Sequence, residues 1–275
     1  MAAHPYLDLA GPWLVAHRGG GLLAPENTFA AFDQAAALGA DAIETDVRLT
    51  ADTVVVAFHD EDTARLTGAP GTVEGRTLAD LERLDPGYAF TPDGGATFPF
   101  RGAGLRVPPL AEVLRRYPRL RFSVDAKPDD APLAAALAAV VGEAGAEERV
   151  CVGSFFDTQS ARLGALLPGC ARYLPQQAAT CHVLAARSDP PGPARGEGAG
   201  PPGCPGGFEL ASLPHFMGGF EVVDAGTVAY FHRRGMPVHV WTVDDEAEMR
   251  ALLALGVDGI ISDRPDVLAR VLGRG

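Results

Sequence analysis

Four short polar motifs lie within the first 60 residues, and their side chains are of the kinds that act on phosphate esters. An imidazole moves protons, a carboxylate holds a hard cation, and a guanidinium binds phosphoryl oxygens. The chain therefore has most of the groups that hydrolysis of a phosphodiester requires. The motifs are His17-Arg18-Gly19-Gly20, Pro25-Glu26-Asn27-Thr28, Glu44-Thr45-Asp46 and His59-Asp60.

His17 and His59 are the candidate catalytic acid and base. Cleavage of a phosphodiester requires one proton to leave the nucleophile and another to reach the departing alkoxide. A single histidine at a strand end more often packs in the core or at the rim, but two beside a group of carboxylates favour catalysis. The residues leave open which histidine is the acid, and whether the nucleophile is water or the substrate's own 2-hydroxyl. The other histidines are interpreted as structural: His4, His182, His215, His232 and His239.

Glu44 and Asp46 stand two positions apart in an apolar run that reads as a strand. Their side chains therefore point to the same face, about 6.5 Å apart along the backbone. Burial of unpaired carboxylates is strongly disfavoured, so the pair needs either an arginine, Arg18 or Arg48, or a metal ion. Asp125 on a neighbouring predicted strand favours the metal. Ligands that are all oxygen indicate Mg²⁺ or Ca²⁺ rather than zinc.

Short strand-like runs alternate with Ala- and Leu-rich helical patterns along most of the chain, which predicts parallel strands joined by helices. Eight such units predict an α/β fold, the TIM (β/α)8 barrel, with the active site at the C-terminal ends of the strands. The predicted strands are 13–17, 42–47, 121–126, 150–154, 171–174, 209–213, 238–242 and 259–262. The clearest predicted helices are 28–38, 110–117, 132–144 and 245–255.

Three further polar or aromatic residues fall at the predicted catalytic rim. Arg18 is expected to bind phosphoryl oxygens through its planar fork, and Lys127 as a point charge. The alternative for both cations is neutralisation of the nearby acids, which is compatible with a role in the site. Trp241 ends the seventh predicted strand, where so large a side chain is expected to form the wall of a ligand cavity.

The motif Pro25-Glu26-Asn27-Thr28 is interpreted first as the start of a helix. Asn27 or Thr28 would be the N-cap, because their side chains can accept a hydrogen bond from the first helical turn. The motif also fixes the loop after the first strand, where Glu26 is placed to brace Arg18. The neighbouring glycines lack the G-K-[ST] pattern of a nucleotide-binding loop.

A single barrel spanning 13–272 is predicted, with two interruptions. The segment 59–107, which follows the second strand, is longer than a βα loop needs and is predicted to be a small inserted subdomain over the barrel mouth. The segment 188–207 consists mainly of Pro, Gly, Ala and charged residues and is predicted to be disordered.

The overall charge restricts the partners. The 275 residues contain 35 acids and 23 Lys or Arg, a net charge of −12. This balance argues against nucleic-acid binding and against stable docking on anionic membranes. No signal peptide and no membrane-spanning run is legible, so a cytoplasmic protein acting on a small molecule is expected. The even count of four cysteines permits disulfides, but they show no paired spacing and are expected to fill small apolar spaces. Nothing indicates the oligomeric state.

In this order, and with Pro108-Pro109-Leu110-Ala111-Glu112 and Asp125-Ala126-Lys127 downstream, the motifs resemble those of the glycerophosphodiester phosphodiesterase family. The resemblance runs from about 13 to 265 and includes Trp241-Thr242-Val243 and a final strand that ends in Ser262-Asp263-Arg264-Pro265. It implies metal-dependent hydrolysis of a small glycerophosphodiester to sn-glycerol 3-phosphate and an alcohol. Family members commonly carry Glu at the position of Asp125. The final strand is interpreted as architecture.

Two alternatives remain open. Related barrels with lysophospholipase D or sphingomyelinase D activity share the charged core, and a lipid substrate would require an exposed apolar rim. The inserted segment offers aromatic residues for such a rim: Tyr88, Phe90, Phe98 and Phe100. A non-catalytic phosphodiester-binding barrel is the other alternative, but such a protein is expected to lack a histidine or an acid of the set, and none is missing.

Overall fold

Short runs of Val, Ile, Leu and Ala form the strands of the computed structural model, which describes residues 4–8, 10–188 and 203–274. The strands are β1 (Trp13–His17), β2 (Ala42–Leu49), β3 (Val55–Ala57), β4 (Arg121–Ala126), β5 (Val150–Gly153), β6 (Ala171–Arg172), β7 (Ala211–Pro214), β8 (Phe216–Met217), β9 (Phe220–Glu221), β10 (Val238–Trp241) and β11 (Gly259–Ser262). The helices are α1 (Phe29–Ala37), α2 (Ala64–Thr67), α3 (Leu78–Leu81), α4 (Leu110–Arg116), α5 (Ala131–Glu143), α6 (Asp157–Leu166), α7 (Gln176–Ser188), α8 (Ala225–His232), α9 (Glu246–Leu255) and α10 (Pro265–Val271). Single 3₁₀ turns occupy Pro5–Leu7 and Glu147–Arg149.

Eight parallel strands form one sheet in the order β6-β5-β4-β2-β1-β11-β10-β7. The two ends of this sheet meet through a parallel bridge between Tyr173 and Leu210. The amide of Leu174 also donates to the carbonyl of Leu210 at 3.1 Å. The sheet therefore closes, and the predicted TIM barrel is confirmed. All eight predicted strands are present, although β6 ends at Arg172 and β7 begins at Ala211, because the closure at this point is a single bridge.

The barrel interior is apolar near the N-terminal ends of the strands and charged near their C-terminal ends. Val15 of β1 and Ala42 of β2 belong to an inner apolar cluster. The next residues on the same face are His17 on β1, and Glu44 and Asp46 on β2, and these line a cavity at the C-terminal end. Residues on the other face pack against the helices in the main core. The two-residue period of the strands thus directs the motif side chains to the barrel mouth.

The segment between β3 and α4 packs beside the barrel around a small apolar cluster of its own. β3 pairs with β2 in antiparallel register. Only His59 of the segment 59–107 lines the cavity at the mouth. The aromatic residues that could have formed a rim for a lipid substrate do not line the cavity. Phe90 packs edge-on against Phe100, and Arg101 covers Tyr88 and Phe98.

The expectation that all four cysteines fill apolar spaces is wrong for two of them. Cys181 of α7 forms a disulfide with Cys204, with their Cα atoms 5.6 Å apart, whereas Cys151 and Cys170 are buried and free. The disulfide also anchors one end of the segment predicted to be disordered, and Ser188 belongs to α7. The part from 189 to 202 lies outside the described residues.

The described part of the chain contains no helix that is both long and apolar enough to cross a bilayer.

Candidate active site

The strand register places the motif residues side by side. His17 stands beside Glu44 across β1 and β2, and Asp46 stands beside Asp125 across β2 and β4. All eight residues predicted for the site line one cavity of about 530 Å³ at the C-terminal end of the barrel. The spacing of the motifs thus predicted which side chains would meet. They are His17, Arg18, Glu44, Asp46, His59, Asp125, Lys127 and Trp241.

A tight turn after β1 directs Arg18 to the cavity floor. Arg18 has a φ of 50°, and Gly19 and Gly20 follow with φ of 86° and 103°. A Cβ at Gly19 would meet the side chains of Ala31 and Phe32 at 2.8 Å, so only glycine fits against α1. The positive φ values and the close packing therefore explain why glycines occur here, without a phosphate-binding role.

Thr28 and Asn27 of the helix-start motif have different structural roles. Thr28 is the N-cap of α1 and accepts from the Ala31 amide. Asn27 adopts a positive φ of 55° and instead donates its side-chain amide to Asp46 at 3.0 Å, while it accepts from Thr45 at 2.7 Å. The motif thus both begins the helix and holds a carboxylate of the site.

Each candidate catalytic histidine is bound to a carboxylate. His17 Nδ1 donates to Asp263 Oδ1 at 2.9 Å, and His59 Nδ1 donates to Asp60 Oδ1 at 2.6 Å. A carboxylate on Nδ1 orients the ring and leaves Nε2 for proton transfer. Asp263 was missed by the sequence analysis, which treated the final strand as architecture. Its position directly after the last strand was the available signal, since active-site residues of this fold follow strand ends.

The two histidines differ in the direction in which their pKa is shifted. Burial lowers the pKa of His17, but the hydrogen bond with Asp263 and the charge of Glu44 outweigh burial, so the pKa is raised. Burial also lowers the pKa of His59, and there it outweighs the charge of Asp46 and the hydrogen bond with Asp60. The surroundings therefore favour the protonated ring more at His17 than at His59.

A chain of ion pairs connects His59 with Arg18. Arg65 of α2 donates to Asp60 Oδ2 at 2.5 Å and to Glu26 Oε1 at 2.6 Å. Glu26 in turn pairs with Arg18 at 2.8 Å, so the bracing contact expected for Glu26 is present. Arg65 thereby links the inserted segment to both sides of the site. The sequence analysis missed Arg65, whose partner Glu26 lies 39 positions away in the chain.

Asp46 is the centre of the charged floor. Its Oδ1 lies 2.8 Å from Lys127 Nζ, and its Oδ2 lies 3.1 Å from Arg18 Nε. Burial raises the pKa of Asp46, but the charges of Lys127 and Arg18 outweigh it and lower the pKa to about 2. Lys127 also pairs with Asp125 Oδ2 at 2.6 Å. Of the two arginines considered as partners for these acids, Arg18 pairs with Asp46, whereas Arg48 pairs with Glu74 outside the cavity.

Glu44 and Asp125 are only partly satisfied by the protein, because Glu44 accepts from the Arg18 amide at 3.2 Å and Lys127 pairs with one oxygen of Asp125. Among the described residues, the only ion-pair contact recorded for Glu44 is His17 Nε2 at 3.8 Å. Burial, then the charge of Asp46, raises the pKa of Glu44 to about 7. Asp125 Oδ1 is buried without a hydrogen-bond partner. A hard divalent cation would satisfy both groups.

A ready-made metal cluster is not present in the described ranges 4–8, 10–188 and 203–274, where no three His, Cys, Asp or Glu side chains lie close enough together. The ammonium of Lys127 lies between Asp46 and Asp125. The donor set is nevertheless all oxygen and lies on two adjacent strands, which is the ligand chemistry that a hard divalent cation prefers.

The mouth of the barrel contains two histidines, each bound to a carboxylate, together with arginine, lysine and acidic side chains. This combination of fold and site defines a TIM-barrel phosphodiesterase, an enzyme that hydrolyses phosphoric diesters. The family model described as "Glycerophosphoryl diester phosphodiesterase family" matches residues 17–163 and 206–267. The chain belongs to this family.

Individual relatives agree along nearly the whole chain. The chain is 33% identical over 268 residues to the probable glycerophosphodiester phosphodiesterase 2 of Mycobacterium tuberculosis, covering 97% of this chain and 93% of that protein. It is 31% identical to the glycerophosphodiester phosphodiesterase of Caldanaerobacter subterraneus, covering 95% and 98%. Among solved structures, the glycerophosphoryl diester phosphodiesterase domain of an uncharacterized M. tuberculosis protein matches with a TM-score of 0.80 at 25% identity, covering 96% and 100%.

Replacement of Asp263 by asparagine is expected to lower kcat at least about 10-fold while thermal stability is kept, because His17 loses the group that fixes its tautomer. The hydrogen bond with Asp263 raises the pKa of His17, so its loss should move the limb of the pH–rate profile that reports this ring to lower pH. Kinetics and melting curves of D263N check both effects. An unchanged pH profile with normal kcat would assign Asp263 to packing alone.

Proposed function

We propose that the protein hydrolyses glycerophosphodiesters to sn-glycerol 3-phosphate and an alcohol, and that it depends on a divalent cation. One observation carries the proposal: two carboxylate-bound histidines line a single cavity together with an arginine, a lysine and three acidic side chains. The two relatives described above are named glycerophosphodiester phosphodiesterases, which supports the choice of substrate.

His17 and His59 act as the acid and base of the reaction. The base removes the proton of the nucleophile, which is water or the substrate's 2-hydroxyl, and the acid protonates the departing alkoxide. Asp263 and Asp60 hold the two rings by their Nδ1 atoms. This arrangement keeps each Nε2 ready to exchange a proton without reorganisation of the ring.

Glu44, Asp46 and Asp125 would hold Mg²⁺ or Ca²⁺, which supplies Lewis-acid polarisation of a phosphoryl oxygen when bound. Arg18 and Lys127 provide fixed positive charge on the floor, and they stabilise the negative charge of the phosphoryl group. Both cations are only partly exposed, so water screens their charge weakly. Trp241 is 37% exposed at the mouth and forms a wall against which the glycerol group can pack.

Replacement of Trp241 by alanine is expected to raise KM more than it lowers kcat, because the indole positions the glycerol without touching the reacting bond. Steady-state kinetics with glycerophosphocholine measure both constants. A fall in kcat with an unchanged KM would contradict the positioning role.

A substrate panel under identical metal conditions tests the proposed function. We expect glycerophosphocholine, glycerophosphoethanolamine and glycerophosphoglycerol to react at similar kcat/KM, and bis(p-nitrophenyl) phosphate to react poorly. A preference for the nitrophenyl ester would leave the glycerol pocket without support. Binding of glycerophosphocholine without turnover, with either cation, would favour the non-catalytic phosphodiester-binding barrel instead.

A further inference from the structure

The carboxylate of Asp125 is less firmly held than that of its neighbour Asp46. Among the described residues, Lys127 Nζ lies 2.6 Å from Asp125 Oδ2, whereas Oδ1 is buried without a hydrogen-bond partner. Asp46 is held at both oxygens, because Lys127 pairs with its Oδ1 and Asn27 donates to its Oδ2. The terminal torsion of an aspartate has only a broad preference, so one ion pair with a long lysine does not fix the plane of the Asp125 carboxylate.

Tyr173 lies two strands away from Asp125, and its ring extends across the strand between them. Asp125 of β4 is level with Gly153 of β5. Val152 of β5 pairs with Arg172 of β6, so Tyr173 continues the row that Asp125 and Gly153 begin. A Cβ at Gly153 would collide with the Cζ and Cε1 atoms of the Tyr173 ring. The far end of the phenol therefore occupies the space that a side chain of β5 would otherwise fill.

The glycine brings the phenol hydroxyl beside the carboxylate of Asp125. Level residues of neighbouring strands direct their side chains to the same face, and the strands are about 4.8 Å apart, so Asp125 lies next to the ring that covers Gly153. Tyr173 and Asp125 both line the cavity. Burial, and then the charge of Asp125, raises the pKa of Tyr173 well above its usual value. The hydroxyl therefore keeps its proton and is available as a hydrogen-bond donor.

We propose that Tyr173 is a positioning residue of the cation site, and that its hydroxyl donates to Asp125 and holds this carboxylate toward the cavity. The inference rests on the proposed cation dependence and deepens it by naming a residue that acts through one of the ligands. Tyr173 would do for Asp125 what Asn27 does for Asp46. Hydrogen-bond partners of ligating carboxylates orient the ligand, and their loss typically costs about 10- to 100-fold in metal affinity.

Tyr173 acts as a donor to the ligand and not as a ligand itself. Hard cations prefer carboxylate and carbonyl oxygens, and a protonated phenol offers its hydrogen instead. The rest of the Tyr173 side chain packs against the inner apolar cluster of the barrel. Removal of the hydroxyl alone therefore leaves this packing in place, so Tyr173→Phe changes the contact with Asp125 and keeps the shape of the side chain.

Calorimetric titration with Mg²⁺ and with Ca²⁺ tests the proposal without a substrate. We expect Y173F to raise the Kd of the bound cation about 10-fold or more. Tyr117→Phe is the matched control, because the Tyr117 hydroxyl also donates to a carboxylate, Asp33 at 2.6 Å, but neither residue lines the cavity. Y117F should keep the wild-type Kd. An unchanged Kd in Y173F, or an equal rise in Y117F, would overturn the proposal.

Gly153→Ala tests the same contact from the strand between the two residues. The added methyl group takes the place of the phenol ring and should move the hydroxyl away from Asp125. G153A is therefore expected to weaken cation binding as Y173F does, and the double variant G153A/Y173F should bind no more weakly than the weaker single variant. Independent losses that add in the double variant would contradict a shared route through Tyr173. If G153A does not fold, Y173F decides alone.

A double-mutant cycle in the absence of added cation separates this inference from the proposed function. Y173F should lower the free energy of unfolding less in an Asp125→Ala background than in the wild type, because the acceptor is already gone. An equal loss in both backgrounds, with cation binding by the wild type intact, would overturn the role of Tyr173 and leave the proposed function standing. Coupling without any cation binding by the wild type would instead refute the proposed cation dependence, and with it the positioning of a ligand.

Discussion

Replacement of either His17 or His59 by alanine is expected to lower kcat by about 10²- to 10⁴-fold, because each removes one partner of the proton transfer. Both rings line the cavity and are held by carboxylates that remain in the variants. Neither is part of the apolar core, so the proteins should stay folded. Steady-state kinetics and melting curves of H17A and H59A measure the two effects separately.

His232 provides a matched control for these variants. It is also bound to a carboxylate, Asp258 at 2.7 Å, but it lies on α8 outside the cavity. H232A should therefore retain normal kcat. Near-normal turnover in either H17A or H59A would contradict the acid and base pair, and loss of activity only through unfolding would assign the histidines to structure.

Removal of divalent cations is expected to abolish turnover and to lower the melting temperature together. A cation that binds only the folded protein stabilises it by RT ln(1 + L/Kd), where L is the free cation concentration, so chelation should reverse that gain. Addition of Mg²⁺ or Ca²⁺ to the chelated protein should restore both activity and melting temperature. Full activity of metal-free protein after EDTA treatment would contradict the proposal.

The variant Glu44→Gln tests the same cation site by changing one of its proposed ligands. The change removes a ligand charge and keeps the volume of the side chain, so added cation should no longer raise the melting temperature. Glu246→Gln, on the exposed surface of α9, is the control and should behave like the wild type. A normal metal-induced shift in E44Q would remove Glu44 from the ligand set.

Local patterns were sufficient to predict the fold and the members of the charged floor. The two-residue period in β1 and β2 fixes which side chains face inward, and parallel register then aligns His17 with Glu44 and Asp46 with Asp125. Ends of parallel strands lie at one edge, so motifs far apart in the chain could be placed together from the barrel alone. The roles of these residues as catalyst, metal ligand and substrate contact remain predictions.

The contacts that position the floor could not be predicted in the same way. Arg65 reaches Glu26 across 39 positions and Asp263 reaches His17 across 246, and no periodicity encodes such pairings. The disulfide between Cys181 and Cys204 spans the segment whose composition indicated only disorder. The aromatic residues of the inserted segment were the only candidates for an apolar rim, whereas the apolar wall of the cavity comes from α7 and the β8–β9 hairpin.

Identification of the products formed from glycerophosphocholine tests the central claim most directly. With Mg²⁺ or Ca²⁺ present, the wild-type protein should release sn-glycerol 3-phosphate and choline in equal amounts, because the phosphoryl group stays with the glycerol held at the cavity mouth. Release of glycerol and phosphocholine, or no turnover with either cation, would contradict the account.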